Sequence, residues 1–278
     1  MNCPICGIVA KRSQGLHRHL VGTRPYGGHE LTGGEAAFAV AAVVAADQQS
    51  ASSSDAYLEQ ALANLVANKK LPKYQFERAV DAFLGVFLPA IVEQLTPATG
   101  PVRLVAQEFP LKKPDSNQST NVDYVLFDAG NDVMPWIFLE LKTDSGSMKD
   151  SQALIYAQRL PTATMSQLLD DVRGIMGVSK VPAKYAALLE RFTGFEDHDG
   201  HARAVYLTPG EASLADLLPE GTDPRITASF GQILSCVTFS SLGHVHLDSY
   251  PEAWALFIGR VVPEVMARAS EPTQSSSD

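Results

Sequence analysis

The stretch WIFLELKTD, Trp136 to Asp144, sets four apolar residues before Glu-Leu-Lys and a polar exit. It predicts a buried strand. Side chains two apart on a strand share a face. Glu140 and Lys142 therefore share one face, and Leu139, Leu141 and Thr143 take the other. Burying either charge without a partner is costly. Two arrangements meet that cost: an ion pair on a sheet edge, or a site that needs an acid and a base side by side.

The neighbouring sequence supplies the rest of a sheet. VRLVAQEFPL (Val102 to Leu111) and NVDYVLFD (Asn121 to Asp128) are strand patterns, separated by the polar loop KKPDSNQST. AGND then forms a turn into the strand of the opening stretch. Three strands joined by short loops predict an antiparallel meander. A helix over about residues 149–160 follows, and HARAVYLTP (His201 to Pro209) is a fourth strand. A strand reached through a helix joins as a parallel neighbour. Ahead of the meander, Phe76, Val80, Phe83, Leu84, Phe87 and Ile91 recur at helical spacing. They predict one helix over residues 74–95, kinked at Pro89. Further helices are expected over 57–68, 164–176, 182–192, 229–241 and 251–269. The fold class is α/β, a mixed sheet flanked by helices.

Asp123 lies within the second strand. A hairpin turning between Asn131 and Asp132 sets Asp123 directly opposite Glu140, with Cβ atoms about 5 Å apart. Two carboxylates there repel, and a divalent cation between them relieves the repulsion. A turn offset by one residue would put Asp123 on the opposite face instead.

An Asp followed by Glu-x-Lys on the next strand, here Asp123 and Glu140-Leu141-Lys142, resembles the PD-(D/E)XK nucleases. Glu108 on the preceding strand stands where members often carry an extra acid; the alternative is a solvent-facing strand residue. Gln152 and Tyr156 in QALIY resemble the Gln-x-x-x-Tyr of the RecB-like branch, and AVYLTP resembles its next strand. The resemblance covers about residues 74–210. Val122 stands where the family name has proline.

The resemblance implies a restriction-endonuclease-like core of order αβββαβ. It implies that Asp123, Glu140 and the backbone carbonyl of Leu141 hold magnesium or manganese, hard ions that take oxygen ligands. Lys142 would orient the attacking water, and Gln152 and Tyr156, one helical turn apart, would face the same site. Lys149 and Arg159 are read as a solvated helix face rather than as phosphate contacts.

At the N-terminus, CPICG places Cys3 and Cys6 at metal-knuckle spacing, and twelve residues separate Cys6 from His19. Cys3, Cys6, His19 and His29 are the expected zinc ligands, with His17 the competitor of His19. Lys11, Arg12, Arg18 and Arg24 make this segment locally basic, suited to nucleic-acid phosphates or to a protein. Cys236, in ILSCVTF, is expected in the core. His244 and His246 alternate as on a strand and are expected exposed or in the core rather than on a second metal.

Composition bounds these expectations. A net charge of −9 excludes a generally basic nucleic-acid coat, though not a local groove. Three cysteines, two of them in the knuckle, do not make a disulfide framework and point to a reducing, cytoplasmic setting. The most apolar run, Ala36 to Ala46, is about half a membrane span, so no membrane partner is expected. The organisation expected is a zinc-finger-like segment (1–33), a helical connector (34–70), a nuclease domain (71–270) and a disordered tail (271–278). The function expected is metal-dependent hydrolysis of DNA, in bacterial anti-phage defence or repair. Family habit adds a protein partner or a homodimer. The alternative is an inactive nuclease fold that binds nucleic acid or a partner protein.

Overall fold

The structure is a computed structural model that describes residues 58–67, 76–114, 116, 118–144 and 150–269. The chain divides into two compact units, Met1–Ala61 and Leu62–Asp278, and every element named below lies in the second. The expected zinc ligands Cys3, Cys6, His19 and His29, with His17, lie outside the described residues, as do Lys149 and the tail.

Five strands form one mixed sheet in the order β1-β2-β3-β4-β5. β1 (Val102–Lys112), β2 (Ser119–Asp128) and β3 (Trp136–Leu141) are the expected antiparallel meander. β4 (Ala202–Thr208) joins β3 in parallel, after α3 (Asp150–Arg159), α4 (Met165–Val178) and α5 (Pro182–Glu190). All six residues of β3 and all seven of β4 are buried, as central strands covered on both faces must be. No helix among the described residues is long and apolar enough to cross a membrane.

Three expectations about elements are corrected. Residues 229–241 are not one helix. A helix, Pro224–Ile233, gives way to β5 (Leu234–Thr238), which pairs in parallel with β4. A short apolar run fits either periodicity, and the open edge of β4 decides for the strand. Cys236 accordingly lies on this edge strand and is exposed, not in the core. A 3-10 helix (Phe239–His244) replaces the strand alternation expected at His244 and His246, both of which are exposed. The helix over 74–95 is also two helices, α1 (Phe76–Leu84) and α2 (Leu88–Leu95). The break falls at residues 85–87, and Pro89 sits in the first turn of α2, where its missing N–H costs nothing.

One face of the sheet packs against α3 and α4, through Phe138, Tyr156, Leu160, Leu168 and Val172. On the other, the Tyr124 hydroxyl donates to the Asp81 carbonyl of α1 at 3.0 Å. The end of the sheet away from Glu140 is held by a buried ion pair. Asp128 at the end of β2 has no exposed surface, and Arg203 on β4 is 4% exposed. Arg203 Nη2 donates to Asp128 Oδ2 at 3.0 Å, and its Nη1 to the Pro97 carbonyl at 2.8 Å. The backbone N–H groups of Thr99, Gly100 and Gly130 also donate to the Asp128 carboxylate. The α2–β1 loop thus lies directly on the β2–β3 turn. A Cβ at Gly100 would stand 2.4 Å from Gly130 N, so only glycine permits this approach.

Removing one partner of a buried pair leaves an uncompensated charge. Arg203→Met is expected to cost about 3–5 kcal/mol in urea unfolding. Arg173→Met, which breaks the exposed pair with Asp170, should cost less than about 1 kcal/mol. An unchanged midpoint for Arg203→Met would show that the three amides hold Asp128 unaided.

Candidate active site

The β2–β3 ladder runs from Phe127 opposite Trp136 to Tyr124 opposite Leu139. One more step in that register sets Asp123 across from Glu140, as the hairpin expectation requires. Asp123 Oδ2 accepts a hydrogen bond from the Leu141 N–H at 2.7 Å. β3 then passes to β4: the Lys142 N–H donates to the Leu207 carbonyl at 2.9 Å. Lys142 therefore stays in register with the strand and on the Glu140 face.

Glu140 and Lys142 are 2% and 5% exposed, so neither charge is supported by bulk water. Lys142 Nζ meets Glu140 Oε1 at 2.6 Å, and the Tyr156 hydroxyl donates to Glu140 Oε2 at 2.5 Å. Gln152 Nε2 donates to the Tyr156 oxygen at 3.2 Å and to the Asn121 carbonyl at 3.0 Å, and Lys142 Nζ approaches Gln152 Oε1 at 3.4 Å. Helical spacing on α3 makes this possible, since residues four apart lie on one face. The structure thus brings Asp123, Glu140, Lys142, Gln152 and Tyr156 together. The buried acid near the end of β3 and the base just past it form an ion pair that lines an open cleft.

That cleft encloses about 390 Å³. Glu108 of β1 also lines it. Its flanking pairs, Gln107 with Tyr124 and Phe109 with Val122, set it across from Asp123. The residue is exposed, has a φ of 54° and accepts from Asn121 Nδ2 at 2.9 Å. Left-handed backbone is uncommon for a residue with a side chain and gathers at functional sites. Glu77 and Asp81 of α1 complete the acidic lining, and the sequence reading missed both. Their four-residue spacing in FERAVDAF was the available signal, but only the apolar stripe of that helix was read. Arg159, by contrast, is committed to an ion pair with Asp171 of α4.

Crowding of acids in a desolvated cleft raises their pKa values. Burial, then the Glu140 charge, pushes Asp123 up to about 8, against the opposing Leu141 amide. Burial, then Glu108 and Glu77, pushes Asp81 up to about 6. Glu77 is raised too, chiefly by burial. Burial acts to lower the Lys142 pKa, but the Glu140 charge and hydrogen bond outweigh it and the net shift is upward. Burial and the Glu140 charge drive the Tyr156 phenol well above its usual range, so it remains a donor.

Among the described residues, no group of three or more His, Cys, Asp or Glu side chains is arranged to hold a metal ion. The expected magnesium or manganese donors are two carboxylates and the Leu141 carbonyl. As an all-oxygen set they fit a hard cation, and Asp123, held neutral by burial and repulsion, is what a cation would ionise. Each Glu140 oxygen accepts one hydrogen bond, from Lys142 or Tyr156, which leaves each a second lone pair for a cation.

No protein-family model, curated protein or solved structure matches this chain.

In the metal-free chain Asp123 keeps its proton to about pH 8, whereas an unfolded aspartate releases it near 3.9. The folded state then binds the extra proton between those values, so stability falls as pH rises through the window. Asp123→Asn should flatten most of that fall in urea unfolding with EDTA, leaving the part below about pH 6 that belongs to Asp81. A wild-type profile already flat across this range would rule out a neutral Asp123.

Proposed function

We propose that this chain is a metal-dependent nuclease with a PD-(D/E)XK core, hydrolysing phosphodiester bonds of DNA. The observation that carries the reading is the meeting of Asp123, Glu140 and Lys142 at one end of the sheet, in an open cleft, with Gln152 and Tyr156 behind them. The order of helices α1 and α2, three antiparallel strands, helices α3 to α5 and a parallel strand contains the αβββαβ order that the resemblance implies, with additional helices on each side of the meander.

In this reading Asp123, Glu140 and the Leu141 carbonyl would hold magnesium or manganese. When bound, such an ion polarises the phosphodiester and lowers the pKa of water. The chain's own groups do the rest. Lys142, kept protonated by Glu140, donates towards the attacking water or the phosphoryl oxygens and offsets charge as it develops. Tyr156 and Gln152 hold Glu140 and Lys142 in place, so little reorganisation is needed as the bond breaks. The acids lining the cleft weaken its hold on a polyanion when no cation is bound.

One observation favours the alternative, an inactive module that binds nucleic acid or a partner protein. Both Glu140 oxygens already have protein partners, as they would in a purely structural ion pair.

Cleavage decides between the two. The full chain would be incubated with plasmid, linear duplex, single-stranded DNA and RNA, each with magnesium, manganese or EDTA. Metal-dependent cutting of DNA is expected, and Glu140→Ala and Lys142→Ala should each lose about 10²–10³-fold or more. Equal rates in the folded variants would assign any cutting to a contaminant. No cutting by the wild type under any condition would move the reading to the binding module.

A further inference from the structure

We propose that Arg78 and Lys113 form a phosphate clamp at the cleft, gripping backbone phosphates of a polynucleotide strand on either side of the bond to be cut. This rests on the nuclease reading. It is motivated by a charge problem: the chain carries −9 overall, and Glu77, Asp81, Glu108 and Asp123 all line the cleft. A polyanion approaching them meets repulsion unless cations stand at the rim.

The cations near the site are mostly spent. Lys142 is bound to Glu140. Lys112 and Arg159 both meet Asp171. Arg78 and Lys113 line the cleft and carry no ion pair among the described residues. They come from separate elements. Arg78 is exposed on α1. Lys113 is half-buried just past the end of β1, where its N–H donates to the Gln118 carbonyl at 2.9 Å and closes the β1–β2 connection. Arg78 stands on the same helix as Glu77 and Asp81, so it sets a cation beside the acids most hostile to a phosphate. Polar groups that donate without charge, Asn121 and Ser151 among them, also line the cleft. Such a lining suits a sugar-phosphate backbone and offers little to an apolar ligand.

Counterion release makes the clamp countable. Each phosphate contact on a single strand contributes about −0.7 to the slope of log affinity against log salt concentration, and about −0.9 on duplex. Arg78→Ala and Lys113→Ala should therefore each flatten the slope by about 0.7 on single-stranded DNA. At 0.1 M salt each should weaken binding about five-fold. The double variant should lose both increments.

The test uses the full chain and a fluorescently labelled DNA oligonucleotide. Anisotropy in EDTA across a potassium chloride series gives the slope, and cleavage in magnesium gives KM and kcat. The clamp predicts a raised KM at unchanged kcat, a flattened slope, and recovery of both in Arg78→Lys and Lys113→Arg. Thermal melting checks that each variant is folded. A folded double variant with wild-type affinity, KM and salt slope, still cutting DNA, would overturn the clamp and leave the nuclease reading standing. A wild type that neither binds nor cuts would overturn that reading, and the clamp with it.

Discussion

Asp128 cannot be buried unless Arg203 and three backbone amides reach it together, and this requirement fixes the sheet. The carboxylate ends β2, the guanidinium starts β4, and the amides belong to the α2–β1 loop and the β2–β3 turn. A slip of β2 by one residue would turn Asp128 to the other face and strand Arg203 in an apolar interior. The register chosen at this end is inherited by every later pair of the β2–β3 ladder. It is the same register that sets Asp123 across from Glu140 at the far end. One buried pair therefore specifies where the other can form.

The two buried pairs differ in how they are closed. Around Asp128 the donors are mostly backbone, and the loops are locked by Gly100 against Gly130. Around Glu140 the donors are side chains, from Lys142 on the same strand and Tyr156 on α3. Side chains can exchange partners where backbone cannot. A network of this kind can release an oxygen to a cation or substrate at modest cost. The Asp128 network has no such freedom, which suits a pair that only specifies structure.

Much of this was legible in the sequence because it depends on parity. A period of two fixes which residues share a face, and a short turn fixes which residues are opposed. The shared face of Glu140 and Lys142 and the place of Asp123 opposite follow from those two rules; Gln152 and Tyr156 came from the family resemblance, and the helical period adds only that they share a face. What was not legible depends on contacts between segments distant in sequence. β5 was read as helix because ILSCVTF has no decisive period and its partner edge on β4 lies 30 residues away by pairing, as Ala204 with Leu234. Glu77 and Asp81 join the site because α1 packs by Tyr124 of β2 and lines the same cleft. Asp128 and Arg203 read as the last residue of one strand and an ordinary residue of another, 75 positions apart, until the fold brings them together.

Glu108 shows how far the site departs from what stability alone would select. Its left-handed backbone costs on the order of 1–3 kcal/mol for a residue with a side chain. Glycine at this position would relieve that cost but would remove the carboxylate. The next residue, Phe109, is fully buried, and Asn121 bonds the carboxylate from β2, so the surroundings hold the strained conformation in place. The same cleft keeps Asp123 and Asp81 at raised pKa, a second cost borne by the folded chain. Strain and electrostatic repulsion thus gather at one end of the sheet, while the Asp128–Arg203 pair and the aromatic packing of Phe109, Phe138 and Phe192 supply order to the rest. A chain selected only to fold would have no reason to concentrate unfavourable terms around one opening. A cation bound there, as the nuclease reading proposes, would relieve them.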